Sequence, residues 1–135
     1  RDPQLERRVV ERGSIVVEGS RIRCVGDCES VKADSVVDLH GATVVPGLVD
    51  MHAHPLTGIA GVVSRHRNES ARYLAYGVTT VHDPSNDTSE VFAASELQKA
   101  GEIIGPRIFS TGTILYGATT PFTVTIDGID DARSI

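Results

Sequence analysis

The sequence has no tryptophan and only three tyrosines and three phenylalanines, so aromatic side chains cannot supply its core. Val, Ile, Leu and Ala must do so, and a core of that kind suits parallel strands covered by helices. An excess of basic charge is also missing. The 13 Lys and Arg residues stand against 18 Asp and Glu, for a formal charge of -5, and no basic run is interleaved with aromatics. Nucleic acid is therefore not an expected partner. No stretch approaches the roughly 20 apolar residues of a membrane span, and Arg1-Asp2-Pro3-Gln4 has no apolar signal core. These absences predict a soluble chain, cytoplasmic or periplasmic, without choosing between the two.

Cysteine is scarce. Cys24 and Cys28 are the only two, and a structural zinc site would want a second Cys or His pair at suitable spacing. Two free thiols around a Gly26-Asp27 turn are expected instead.

What is present is ordinary globular material, 40% hydrophobic and 23% charged, enough for one domain's core. From Val9 to Leu39 it reads as short strands broken by turns: Ser14-Ile-Val-Val-Glu18, Arg21-Ile-Arg-Cys-Val25 and Ser35-Val-Val-Asp-Leu39, parted by Gly19-Ser20 and Gly26-Asp27. Glycine in such pairs permits the positive φ of hairpin turns. So small an all-β segment cannot readily close a core alone and is expected to pack on something else.

The texture changes near Val45, where a domain boundary is expected, giving segments 1–45 and 46–135. Leu48 to His52 is expected to be a buried strand. Asn68 to Tyr76 then reads as a helix closed by Gly77, and Val78 to His82 as a β-branched strand. Asp87-Thr-Ser-Glu90 offers capping groups to a helix ending at Gly101. Ile108 to Thr111 makes a third strand, and a third helix begins near Ile126 with Asp127 or Asp130 as its cap. Three successive βα units imply an α/β fold with parallel strands. A closed (β/α)8 barrel takes about 250 residues, so only its first arc fits here. An open doubly wound sheet satisfies the same pattern. The sequence opens on Arg1 and stops at Ile135 within the third helix, and both ends read as cut.

Chemistry concentrates at Asp50-Met-His-Ala-His-Pro55. Residues i and i+2 of a strand face one way, so His52 and His54 project together, in phase with Asp50. Pro55 ends ladder pairing and puts them at the strand's C-terminal mouth, where parallel α/β folds bind ligands. Spacing alone leaves a metal pair and two ordinary histidines equally open.

The run Gly41-Ala-Thr-Val-Val-Pro-Gly-Leu-Val-Asp-Met-His-Ala-His-Pro55 resembles the opening strand of the amidohydrolase superfamily. Gly13 to Gly26 looks like the small β-sandwich segment that these enzymes carry before the barrel. Tyr76-Gly-Val-Thr-Thr-Val-His-Asp83 is similar to the second barrel strand, and Gly105-Pro-Arg-Ile-Phe-Ser-Thr-Gly112 to the third. Val81-His-Asp-Pro-Ser85 and Phe109-Ser-Thr-Gly112 point to the imidazolonepropionase-like and prolidase-like branch.

The resemblance implies an N-terminal β-sandwich segment followed by the first three βα units of an incomplete TIM-like barrel. It implies that His52 and His54 ligate a divalent metal, with Zn²⁺ the expected ion and one or two ions in a complete enzyme. The implied reaction is hydrolysis of a carbon–nitrogen bond, in a non-peptide, cyclic or dipeptide-like amide, by metal-activated water. The family's later ligands, a carboxylated Lys or Glu, two further histidines and a catalytic Asp, have no match here. Lys32 and Lys99 lie in the β segment and at a helix end, so neither replaces the bridging residue. The fragment alone is expected to be inactive. A competing expectation is a non-catalytic truncated barrel whose unpaired edge drives association between copies.

Asp50 has two readings, a hydrogen-bond partner that fixes a ligating imidazole or a carboxylate holding backbone. His82 and Asp83, at the second strand's end, are candidates to line a substrate pocket, while Asp83 equally suits capping of the loop Pro84-Ser-Asn-Asp87. His40, His66, Tyr116 and the Thr119-Thr120-Pro121 loop receive no role.

Overall fold

The computed structural model describes residues 9–55, 61–64, 68–116 and 123–134. The chain divides into two compact units, residues 1–43 and 44–135.

In the first unit, β1 (Ser14–Glu18) pairs antiparallel with β2 (Arg21–Gly26). The two strands join through Gly19 and Ser20. Gly19 has φ +58, the positive value that two-residue hairpin turns require at this place. A bulge between Val16 and Val17 leaves Arg23 outside the register, and its guanidinium reaches Glu18 at 2.8 Å. That pair is exposed and stabilises little.

Two expectations fail in this unit. Ser35–Leu39 is irregular, not a strand, and Val36 and Val37 are 86% and 77% exposed. Their β-branched character favours a strand, but no edge among the described residues pairs with their backbone. Cys24 and Cys28 are not free thiols. They form a disulfide, because the backbone turning after Gly26, at φ +104, brings their Cα atoms to 5.9 Å, within bridging range.

The second unit is built on three parallel strands in the order β3 (Leu48–Asp50), β4 (Val78–Asp83), β5 (Arg107–Ser110). Between them lie α1 (Asn68–Ala75) and α2 (Thr88–Lys99). β3 is shorter than expected, since its ladder ends at Asp50 and the chain bends at Met51 and His52. Gly47, just before β3, passes so close to Thr79 that a Cβ there would lie 2.1 Å from the threonine Oγ1. Only glycine lets the strand enter beside β4 without displacing that side chain.

Asp87 caps α2, its carboxylate accepting the Glu90 N–H at 3.0 Å. The helix stops at Gly101, whose φ of +78 suits the left-handed C-terminal turn. Val91, Ala94 and Ser95 face inward at helical spacing and meet Val81 of β4 and Ile108 of β5. Val81 and Val91 are fully buried, each contributing about 1.5–3 kcal/mol. Ser95 satisfies its hydroxyl on the Ile108 carbonyl at 3.0 Å.

In parallel register, Val49, Thr80 and Arg107 lie side by side on the opposite face, followed by His82 and Phe109. Val49 and Phe109 are each more than half exposed, so this face is bare at its two edges, with the Arg107 guanidinium donating to Thr80 Oγ1 between them.

Past β5 the chain departs from expectation again. Ile114–Tyr116 (β6) and Thr123–Thr125 (β7) pair in parallel, so Tyr116, expected in a loop, ends a strand; both strands are rich in strand-forming residues. The last helix, α3 (Ile129–Ser134), is not capped by Asp127 or Asp130. Asp131 reaches back, its Oδ2 accepting the N–H groups of Asp127 and Gly128 at 3.1 Å. His66 and Thr119-Thr120-Pro121 lie outside the described residues. No helix among the described residues is long and apolar enough to cross a membrane.

Candidate metal centre

The C-terminal ends of β3, β4 and β5 share one edge, as parallel strands must, and the polar residues of the sequence gather there. His52 and His54 follow β3, His82 and Asp83 end β4, Ser110 ends β5 and Thr111 follows it. The pairing of the first two strands persists past the ladder, with Ala53 N–H donating to the His82 carbonyl at 3.0 Å. Ala53 and Pro55 turn inward while His52 and His54 stay exposed. The two imidazoles stand edge to face, centroids 5.6 Å apart.

His54 is held from behind. Its Nδ1 lies 2.8 Å from Asp83 Oδ1, and the Asp83 side chain is fully buried while that of His54 remains 45% exposed. Asp83 Oδ1 also accepts the Ser85 N–H at 3.1 Å, and Asp83 Oδ2 accepts from Asn86 Nδ2 at 2.8 Å. The loop is pinned in turn, since Asn86 N–H donates to the Gly112 carbonyl at 3.1 Å and Thr111 Oγ1 to that of Pro84 at 2.7 Å. A carboxylate can only accept, so His54 turns a protonated Nδ1 toward it, and in the neutral imidazole the lone pair then lies at Nε2.

Asp50 takes the backbone role. Its Oδ1 accepts the His52 N–H at 3.1 Å, which rigidifies the bend. His82 is half-buried, and its Nδ1 sits 3.2 Å from the Met51 carbonyl, which fixes the ring against the β3 bend. His40, in the first unit, is exposed at φ +50 beside Asp38. The partnership of Asp83 with His54 was the feature hidden in the sequence. The pattern Asp83-Pro-Ser-Asn86 marks an Asx turn, but only parallel pairing places it beside the residue four beyond Asp50.

Neutral imidazole nitrogen is the donor that zinc and related divalent ions prefer, and a zinc ion takes four ligands. His52 and His54 fit as part of such a set. Among the described residues no group of three or more His, Cys, Asp and Glu side chains is placed to complete it.

No protein-family model matches the chain. An adenine deaminase from Kosmotoga olearia is 49% identical over 72 residues, 53% of this chain and 11% of that protein. An imidazolonepropionase from Streptomyces griseus is 27% identical over 130 residues, 94% of this chain and 32% of that protein. The chain is related to the amidohydrolase superfamily.

The fold of this amidohydrolase relative agrees with that of a prolidase solved with N-methylphosphonate-L-proline, at a TM-score of 0.63 and 24% identity. That match covers 89% of this chain and 37% of the prolidase, and at such identity it speaks for the fold. The amidohydrolase relative thus spans between 11% and 37% of the length of these three proteins.

Proposed function

We propose that the whole protein is a metal-dependent hydrolase of carbon–nitrogen bonds and that this chain carries the first wall of its metal site. One observation carries the reading: His52 and His54 stand 5.6 Å apart at the mouth of parallel strands, with one face of His54 fixed by a buried carboxylate. Bound there, a divalent ion such as Zn²⁺ would supply Lewis acidity toward an amide carbonyl and a lowered pKa for water. The chain's own contribution is to hold two imidazoles on a rigid edge, so that little entropy remains to be lost when they ligate. Further ligands and the proton-transferring group belong to later strands in this reading.

Residues 46–135 form the first βα units of a TIM-like barrel in this proposal, and residues 1–45 belong to a β-sandwich completed elsewhere. Two features support it: the exposed Val49 and Phe109 side chains on one sheet face, which a closed barrel would bury, and the partial coverage of the prolidase fold. The names of the relatives suggest the substrate class, small molecules with an amide, cyclic amide or amino-purine C–N bond.

The test is hydrolysis by the whole protein of a panel of N-acyl amino acids, proline dipeptides, cyclic amides and amino-purines, with and without a chelator. Turnover of one class, abolished by chelation and restored by Zn²⁺, is expected. Absence of chelator-sensitive turnover across the panel would contradict the proposal.

A further inference from the structure

The deepest polar group at the strand mouth is not a histidine but Asp83, and both oxygens of its carboxylate accept hydrogen bonds. Oδ1 receives His54 Nδ1 at 2.8 Å and Ser85 N–H at 3.1 Å, while Oδ2 receives Asn86 Nδ2 at 2.8 Å. A carboxylate with no exposure to water cannot turn to other partners, so its direction is dictated by the loop that holds it. That loop is tied to the end of β5 through Asn86 N–H to the Gly112 carbonyl and Thr111 Oγ1 to the Pro84 carbonyl. Three strands therefore converge on the orientation of one imidazole.

We propose that Asp83 is the positioning residue for His54: it holds the ring in the Nδ1–H tautomer and aims the Nε2 lone pair out of the strand mouth toward the ion. This rests on the reading of His52 and His54 as metal ligands. Asp83 touches neither metal nor substrate in this account and acts only through His54. Asp50, closer in sequence, does not share the role, because it serves the His52 backbone. Asn86 is the second member of the device, since it fixes the oxygen that His54 leaves free.

The proposal predicts both a state of the ring and an affinity, and the two can be read separately. In the metal-free whole protein, long-range ¹⁵N–¹H correlation of labelled histidine should find His54 protonated at Nδ1. Asp83→Asn should abolish that preference and weaken Zn²⁺ binding, measured by competition with a chromophoric chelator, by about tenfold to a hundredfold. The far-UV circular dichroism of the variant should stay that of the parent. A wild-type tautomer and wild-type Zn²⁺ affinity in a folded Asp83→Asn would overturn the proposal while leaving the metal site standing. If instead the parent takes up no Zn²⁺ but the tautomer still depends on Asp83, positioning is supported and the metal reading fails. Should Asp83 variants not fold, Asn86→Ala carries the test, with a several-fold loss of Zn²⁺ affinity and a mixed tautomer expected, and parental behaviour in both counting against the proposal.

Discussion

Thr88 Oγ1 and Thr113 Oγ1 meet at 2.7 Å, and each hydroxyl also accepts the other residue's backbone N–H, at 2.9 Å for Thr113 and 3.3 Å for Thr88. The first turn of α2 is thereby fastened to the segment after β5, next to the loop that carries Asp83. Each net hydrogen bond of this kind contributes about 0.5–1.5 kcal/mol. Thr88→Val removes the hydroxyl at nearly constant volume. It should lower stability by about 1–3 kcal/mol, with faster hydrogen exchange at the Thr113 amide. An unchanged melting temperature and unchanged exchange would show that the two segments are held by other contacts.

The cap of α2 gives a pH prediction. A hydrogen bond from the Ser89 hydroxyl, and then one from the Glu90 N–H, hold the Asp87 carboxyl below the usual carboxylate range. A depressed folded value means that this stabilisation is complete above about pH 4, the unfolded value, and is lost as pH falls through the lower folded one. Asp87 is exposed, so solvent screening keeps the effect small. Asp87→Ala should cost about 0.5–2 kcal/mol at neutral pH and less in strong acid, which thermal melts at the two pH values would reveal. An equal cost in both would remove the charge from the explanation.

The disulfide closes a loop of only a few residues, so its removal should cost no more than about 2 kcal/mol. Thiol titration of the unreduced, denatured protein should find no free cysteine. Two reactive thiols per chain would reverse the assignment and return the turn to the reduced state that the spacing alone suggested.

Much of the second unit could be read from the sequence because its signals are local. β-branched runs, the Asp87 cap and the glycines after each helix fix α1, α2, β4 and β5 through backbone chemistry that needs no distant partner. The failures have the opposite character. Val36 and Val37 carry strand propensity, but a strand exists only when another edge accepts its hydrogen bonds. β6 and β7 formed because two short runs of strand-forming residues found each other, a non-local event. The site divides in the same way. The His52 and His54 pair was legible from a two-residue spacing, whereas the choice of Asp83 over Asp50 depended on the register between β3 and β4.

The central claim is that His52 and His54 are metal ligands, and metal content reads it without any knowledge of substrate. Zinc bound per chain, measured by elemental analysis on the whole protein after exhaustive dialysis, should be stoichiometric in the parent. It should fall to background in the double variant His52→Ala, His54→Ala, with the fold retained. Unchanged metal content in that variant would contradict the account.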